Sequence, residues 1–263
     1  MKLKLILLLS LFTLGLSAQE TIKDNFKYEV IYNLSFKLDS TQVEPVSEYM
    51  VLYLGDDYSR YLSRAQKFAG EVDIKGNSGT TSKKALTNFS YQIIKDIKKE
   101  KLYYFQNMAK DRFYFEQDKN MFNWKIENET KEIKGYKVQK ATTTFAGRDY
   151  VAWFTPEVPI SDGPFKFNGL PGLILEISDI ENEWNFEFFA LKRLSPKEDF
   201  KLKLNLLIKT TPEEFSTTYL RFRKDPFTYA NNPNVHITPE VHQQYIEAFT
   251  KLIEKENNPI ELE

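Results

Sequence analysis

The stretch that decides the fold class is residues 26–39, which read FKYEVIYNLSFKLD. Apolar side chains occupy every second position from Phe26 to Leu38, and polar or charged residues fill most of the positions between them. Only Ile31 breaks the alternation. Because successive side chains of a β-strand point to opposite faces, a period of two is typical of a long antiparallel strand with one buried face.

Similar alternating segments recur through the middle of the chain and are separated by turn residues. Three of the strands expected from this pattern are Thr87–Ile94, Phe122–Glu127 and Lys201–Ile208. The pattern predicts a mainly β protein, either a single antiparallel, strongly curved sheet or an open half-barrel, of about ten strands. Residues 68–84 are rich in Gly, Ser and Thr, so they are predicted to form an exposed loop.

Helix signals appear only near the C-terminus. Thr211-Pro212 and Thr238-Pro239 each combine a capping threonine with proline at the first helical position. Glu214 stands where a capping box places an acidic residue. The sequence therefore predicts two C-terminal helices within residues 211–256.

The N-terminus has the pattern of a secretory signal peptide. Lys2 and Lys4 form a basic region, an apolar run follows to Leu16, and the small residues Ser17 and Ala18 form a cleavage site. The apolar run is shorter than the roughly 20 residues of a membrane-spanning helix. We expect residues 1–18 to be removed and residues 19–263 to form a single β-rich domain. The mature protein is predicted to be exported, soluble, and periplasmic or extracellular.

Composition narrows the classes of function. The chain has no cysteine, so it contains no disulfide, thiolate metal site or acylated cysteine. Its formal net charge is −1, which argues against nucleic acid or an anionic membrane surface as the main partner. After signal cleavage, no segment is apolar enough to predict a transmembrane helix.

Residues 163–177, GPFKFNGLPGLILEI, contain a structural corner. Proline at position 171 and glycine at position 172 suit the two central positions of a type II β-turn. Gly163 and Gly169 add further turn signals. A phosphate-binding loop is disfavoured because neither glycine-rich phosphate motif is present and no helix pattern follows.

Residues 169–174 read GLPGLI, and residues 128–167 read NETKEIKGYKVQKATTTFAGRDYVAWFTPEVPISDGPFKF. These two blocks resemble the GLPGLI family of exported Bacteroidota proteins. The resemblance implies export and a β-rich fold. Family members have no established activity, so it implies no mechanism. Val138 is a departure, since relatives commonly have cysteine there.

No residue set in the sequence predicts catalysis, a metal ion or another cofactor. His236 and His242 are the only histidines, and their spacing does not place them on one helical face. Residues 76–79, GNSG, lack the spacing and the strand–turn–helix context of a nucleophile elbow. We assign no catalytic residue.

Four residues around the corner are the candidate ligand contacts: Trp153, Lys166, Asn168 and Glu176. Trp153 offers a flat ring with one N–H donor, and Glu176 interrupts an apolar strand. Alternation places Lys166 opposite its phenylalanine neighbours. The competing interpretation is that Trp153 belongs to the core while Lys166 and Glu176 face solvent.

Aromatic residues make up 15% of the chain, and many alternate along strands. Aromatic strands of this kind suit a hydrophobic groove. We therefore expect a non-catalytic binding or carrier protein of the cell envelope for a hydrophobic ligand, a lipid or an extended peptide. Two alternatives stay open: an envelope assembly partner, and a hydrolase with an unrecognised site.

Overall fold

The computed structural model describes residues 21–66, 87–230 and 236–262. The predicted signal peptide and the predicted loop at 68–84 lie outside these residues. Twelve strands are found in the described part of the chain. In chain order they are β1 (Thr21–Phe36), β2 (Val46–Leu54), β3 (Tyr58–Ser63), β4 (Gln92–Asp96), β5 (Lys101–Met108), β6 (Asp111–Asp118), β7 (Lys125–Ile133), β8 (Tyr136–Phe145), β9 (Arg148–Thr155), β10 (Leu173–Asp179), β11 (Trp184–Lys203) and β12 (Ile208–Lys209).

All twelve strands belong to one open sheet. The order across the sheet is β12-β6-β5-β4-β3-β2-β1-β11-β10-β9-β8-β7. Every neighbouring pair is antiparallel except β12 and β6, which are parallel. The expectation of a mainly β protein with a single sheet is confirmed, and the expected number of about ten strands is corrected to twelve. One reason is that β12 has two residues, too few to show any alternation.

Three predicted strand boundaries are wrong. The strand expected from Thr87 begins at Gln92, and the strand expected from Phe122 begins at Lys125. The third expected strand, 201–208, is divided between the end of β11, a 3₁₀ turn (Leu204–Leu206) and β12. Phe89 and Phe122 contribute to the largest apolar cluster from outside the strands, so alternation at these two places reflects burial rather than strand pairing.

The two faces of the sheet differ in what they bury. On β1, the alternating residues Val30, Tyr32, Leu34 and Phe36 enter the largest apolar cluster, and we call that side the inner face. The opposite side is the outer face, onto which Asn33 projects. Alternation from Tyr28 to Phe36 therefore separates the two faces as the sequence predicts, whereas Phe26 lies before a register shift and packs on the outer face.

The first part of β1 and the last part of β11 form a two-stranded ribbon. Residues 21–26 pair with residues 198–203, and a register shift on β1 between Phe26 and Tyr28 separates this ribbon from the rest of the sheet. Phe26 stacks on Tyr53 at 5.4 Å and on Phe200 at 5.3 Å between ring centroids. The ribbon therefore covers part of the outer face of β2 to β6 and creates smaller apolar clusters there.

The described C-terminal helices are α1 (Pro212–Lys224), α2 (Pro226–Ala230) and α3 (Pro239–Lys255). Thr211 and Glu214 form the predicted capping box, and Thr238 caps α3. The two predicted helices are thus confirmed, with α2 as a short addition. None of the helices within the described ranges has the length and hydrophobicity needed to span a membrane.

Candidate functional site

Residues 156–172, which connect β9 to β10, lie over the inner face, and we call them the plug. Phe165, Phe167 and Leu170 are buried in the main apolar cluster. Proline and glycine prevent this segment from continuing β9, because proline lacks an N–H donor and glycine permits tight turns. The apolar face that the sequence suggested for a ligand is thus contacted by the chain's own aromatic side chains.

Lys95 on β4 anchors the plug. Its side chain is 1% exposed, and its ammonium group donates to Asp162 Oδ1 at 2.5 Å, to the carbonyl of Gly163 at 2.8 Å and to the carbonyl of Phe167 at 2.9 Å. Three acceptors satisfy the three N–H donors of a lysine. Burial lowers the pKa of Lys95, and the Asp162 carboxylate acts in the opposite direction. This buried ion pair therefore ties β4 to a segment that is distant in sequence.

The corner at Leu170–Leu173 differs from the predicted type II turn. The N–H of Gly172 donates to the carbonyl of Leu170 at 2.8 Å, which makes a γ-turn centred on Pro171. The N–H of Leu173, which would close a type II turn, instead donates to the carbonyl of Val158 at 3.0 Å. The φ of Gly172 is +157°, a backbone conformation that other residues rarely adopt.

Close contacts explain two of these glycines. A Cβ on Gly172 would lie 2.1 Å from the backbone oxygen of Thr155. A Cβ on Gly163 would lie 2.9 Å from Ile174 Cβ. Gly169 has φ +98°, which also favours glycine. Substitution of any of the three would therefore disturb the plug or its junction with the sheet.

Lys166 and Asn168 lie within the plug, and both are buried. Lys166 pairs with Glu261 at 2.6 Å between Nζ and Oε1. The Asn168 amide donates to the carbonyls of Lys119 at 3.0 Å and Lys166 at 2.9 Å, and Trp124 donates to the Asn168 carbonyl at 2.7 Å. The interpretation of Lys166 as solvent-facing is wrong, because residue 166 belongs to a buried loop and its charge is matched by a distant carboxylate.

The C-terminal residues 258–262, which we call the clasp, bind beside the plug. Arg148 donates to the carbonyl of Pro259 at 2.9 Å and pairs with Asp179 at 2.7 Å. The Tyr150 hydroxyl donates to the carbonyl of Ile260 at 3.0 Å, and Trp184 Nε1 donates to the carbonyl of Asn258 at 3.2 Å. Sequence reasoning missed the clasp, because these partners are separated by 74 to 111 positions.

Trp153 and Glu176 lie on the outer face, directly opposite each other on β9 and β10. Pairing across six strands aligns them with other half-buried or exposed side chains, and we call this set the outer-face row. Its members, one from each of the adjacent strands β2, β1, β11, β10, β9 and β8, are Tyr49, Asn33, Glu187, Glu176, Trp153 and Lys140. The expectation that Glu176 faces away from Ile177 is confirmed, since Ile177 is buried in the inner cluster.

A lysine from the edge strand contacts this row. Lys131 pairs with Glu176 at 2.7 Å, and its Nζ lies 4.4 Å from the centre of the Trp153 ring. At the other end of the row, Tyr49 meets the exposed Phe189 ring at 5.2 Å between centroids. The four predicted ligand contacts are therefore not brought together: two are inside the plug and two are on the outer face.

A separate cleft of about 670 Å³ lies where the ribbon leaves the sheet. It is lined by Lys27, Tyr28, Arg193, Leu194, Ser195, Pro196 and Lys197. Its positive charge is partly matched, since Lys27 pairs with Asp56. Arg193 and Lys197 are exposed, so salt screens their attraction for anions.

Histidine and carboxylate side chains are the remaining candidates for a metal site. Among residues 21–66, 87–230 and 236–262, no group of three or more His, Cys, Asp or Glu side chains is arranged to hold a metal ion. His242 Nε2 lies 2.8 Å from Asp225 Oδ1, and this contact joins α3 to the segment before α2. His236 is exposed.

Comparison with known proteins gives a family match over a short stretch. A family model described as "Protein of unknown function (Porph_ging)" matches residues 146–176. No curated protein matches the chain. The matched stretch runs from the turn before β9, through the plug, to Glu176 in β10.

Two similar solved structures are titled "Structure of PNGF-II in C2 space group" and "Structure of PNGF-II in P21 space group". The first has 16% identity and a TM-score of 0.54, and the alignment covers 75% of this chain and 33% of that chain. The second has 17% identity and a TM-score of 0.53, and the alignment covers 75% of this chain and 34% of that chain. This chain therefore spans about a third of the length of those proteins, and the likeness shows the fold alone.

Proposed function

We propose that this chain is an exported, non-catalytic binding protein of the cell envelope that contacts a protein or extended peptide through the outer-face row. The resemblance to the GLPGLI family supports export and a Bacteroidota source. The match of residues 146–176 to a family of unknown function covers the same corner and names no activity. The function therefore rests on the surface chemistry of the chain itself.

The connection between β6 and β7 supports a strongly curved sheet, as in an open half-barrel. These strands lie ten positions apart in the sheet order, which is about 48 Å in a flat sheet at ~4.8 Å per strand. Only residues 119–124 connect them, and such a chain reaches about 25 Å when fully extended. Curvature brings the two ends of the sheet within reach of this connection.

The outer-face row is the single observation that carries the proposal. It combines two aromatic rings, Tyr49 and Trp153, with the carboxylates Glu176 and Glu187, and its members are half-buried or exposed. Tyrosine and tryptophan are enriched in protein interfaces because they offer a large apolar area together with a hydrogen-bond donor. At ~4.8 Å per strand the row is about 24 Å long, which suits an extended peptide or the surface of a protein.

A second candidate is a carrier that holds a hydrophobic ligand or a lipid against the inner face. Such a ligand would have to displace Phe165 and Phe167 and break the three hydrogen bonds of Lys95. Leaving a buried ammonium without acceptors is costly, so this candidate is less favoured. The third alternative, a hydrolase, stays a prediction from the sequence.

Site-specific photo-crosslinking tests the proposal with a matched control. A benzophenone amino acid replaces Tyr49 in the row or Tyr245 on α3, and these tyrosines are 42% and 43% exposed. In cells, we expect a crosslinked protein adduct at position 49 and none at position 245. Equal adducts at both positions would overturn the use of this face. A lipid released from the purified protein in native mass spectrometry would favour the carrier instead.

A further inference from the structure

Two arginines on the outer face converge on one neutral oxygen. Arg60 on β3 donates to Gln92 Oε1 from Nε at 3.2 Å and from Nη2 at 3.0 Å. Arg112 on β6 donates to the same oxygen from Nη2 at 3.2 Å. Two positive groups thus lie beside a single amide acceptor, and neither belongs to the outer-face row.

Aromatic rings hold both guanidinium groups in place. The Arg60 guanidinium lies 4.8 Å from the centre of the Phe200 ring, and that of Arg112 lies 5.3 Å from the Phe105 ring. Phe200 comes from the ribbon, whereas Phe105 comes from β5. Rings from two elements therefore orient two rigid donor groups before any ligand arrives.

The positive charge of this pair is not matched by a nearby carboxylate. Within the described ranges, neither guanidinium has an Asp or Glu oxygen within 4.0 Å, although Glu198 favours the charged form of Arg60 from farther away. Burial, together with the charge of Arg112, lowers the pKa of Arg60 to about 10. Both groups remain charged at neutral pH, and both donate to the same Gln92 oxygen.

Both arginines also keep free donors. Arg60 Nη1, and Nε and Nη1 of Arg112, have no hydrogen-bond partner among the residues that the structure describes. None of these nitrogens is fully buried without a partner, so each keeps some contact with solvent. Their planar N–H groups match the oxygens of phosphate or sulfate.

We propose that Arg60, Arg112 and Gln92 form a binding site for a divalent oxyanion, a phosphate or sulfate group. The two negative charges of such an ion match the two guanidinium charges, and Gln92 fixes the spacing of the N–H donors. The group arrives either as the free ion or as a monoester on a larger molecule. This site does not depend on the function proposed for the outer-face row.

Gln92→Glu tests the site because it places a carboxylate where the neutral oxygen lies. The variant supplies the missing negative charge internally, so we expect it to fold and to lose anion binding. Arg221→Gln, an exposed arginine on α1, is the matched control for removing one positive charge.

The measurement is isothermal titration calorimetry of the mature protein with inorganic phosphate, with sulfate and with phenyl phosphate, at constant ionic strength. We expect saturable binding to the wild type and to Arg221→Gln, and at least tenfold weaker binding to Gln92→Glu. Tighter binding of phenyl phosphate than of phosphate identifies an ester, and equal binding identifies the free ion. Absence of saturable binding to the wild type, or equal affinity for Gln92→Glu, would overturn the proposal.

Discussion

On the inner face, charged side chains are buried and bind carbonyl oxygens or carboxylates, whereas on the outer face of β7 to β10 they are half-buried or exposed and pair with one another. Lys95 represents the first region and Lys131 the second. Lys95 is 1% exposed and has three acceptors, while the Lys131 side chain is 41% exposed and contacts Glu176 and Trp153. The same residue type therefore has a structural role on one face and an available charge on the other.

This difference separates architecture from recognition. A buried charge is destabilising unless its partners stay in place, so the plug and the clasp are expected to be part of the folded core. A surface charge loses little when its partner leaves, and it can therefore exchange that partner for a ligand. Substitutions on the two faces should therefore differ in their cost to stability.

Replacing Lys95 should have the largest effect. Lys95→Met keeps most of the side-chain volume but leaves the Asp162 carboxylate buried without its cation, so we expect the free energy of unfolding to fall by about 3–5 kcal/mol. Lys98→Met is the control, since Lys98 is 72% exposed and solvent screens its pair with Asp57, so we expect little change in stability. Urea unfolding at 25 °C measures both.

A second variant distinguishes the charge from the packing. Lys95→Met combined with Asp162→Asn removes both charges, and we expect it to recover part of the lost stability. Equal losses for Lys95→Met and Lys98→Met would show that the inner face is not the rigid side of the molecule.

Replacing Gly172 at the corner should have the second-largest effect on stability. Gly172→Ala places a Cβ 2.1 Å from the Thr155 oxygen, so backbone must move, and we expect a loss of about 2–4 kcal/mol from strain and overpacking. Gly135→Ala is matched for positive φ, at +88°, but has open space around the new Cβ, and should cost about 1 kcal/mol. Equal midpoints in urea would contradict the close packing of the corner against β9.

The sequence predicted the strands and helices that depend on local periodicity and capping. The alternation at 26–39 predicts the inner-face residues of β1 from Val30 to Phe36, and Thr211 and Thr238 predict the starts of two helices. These features depend on neighbours a few positions away, so the sequence alone contains them. The glycine at position 172 was predicted for the same reason.

The sequence could not predict contacts between distant segments. The partners of Lys95 lie 67 to 72 positions away, and Glu261 lies 95 positions from Lys166. One local signal was available for Lys95, because it alternates in phase with the buried Ile93. For Lys166 there was none, since a loop has no period. The candidate site was therefore divided between two faces in a way that alternation could not reveal.

A smaller effect is expected at the clasp. Glu261→Ala removes the carboxylate paired with buried Lys166, and we expect the free energy of unfolding to fall by about 1–3 kcal/mol. The loss is smaller than at Lys95 because the Glu261 side chain is 29% exposed, so solvent can reach the Lys166 ammonium once the carboxylate is gone. Glu254→Ala, at an exposed position on α3, should change stability by less than about 0.5 kcal/mol. Thermal unfolding monitored by near-UV circular dichroism compares them, and a Glu261→Ala midpoint equal to the control would remove the clasp from the folded core.

The smallest effect is expected on the outer face, where Lys131→Ala removes the ion pair with Glu176 and the contact with the Trp153 ring. Both interactions are solvent-exposed, so we expect a loss below about 1 kcal/mol that shrinks further in 0.5 M salt. If the row is the binding surface, the same variant should change crosslinking from position 49 while its urea midpoint stays near that of the wild type. A large loss of stability without any change in crosslinking would place Lys131 with Lys95, as part of the architecture. That result would remove the difference between the two faces on which the proposed function depends.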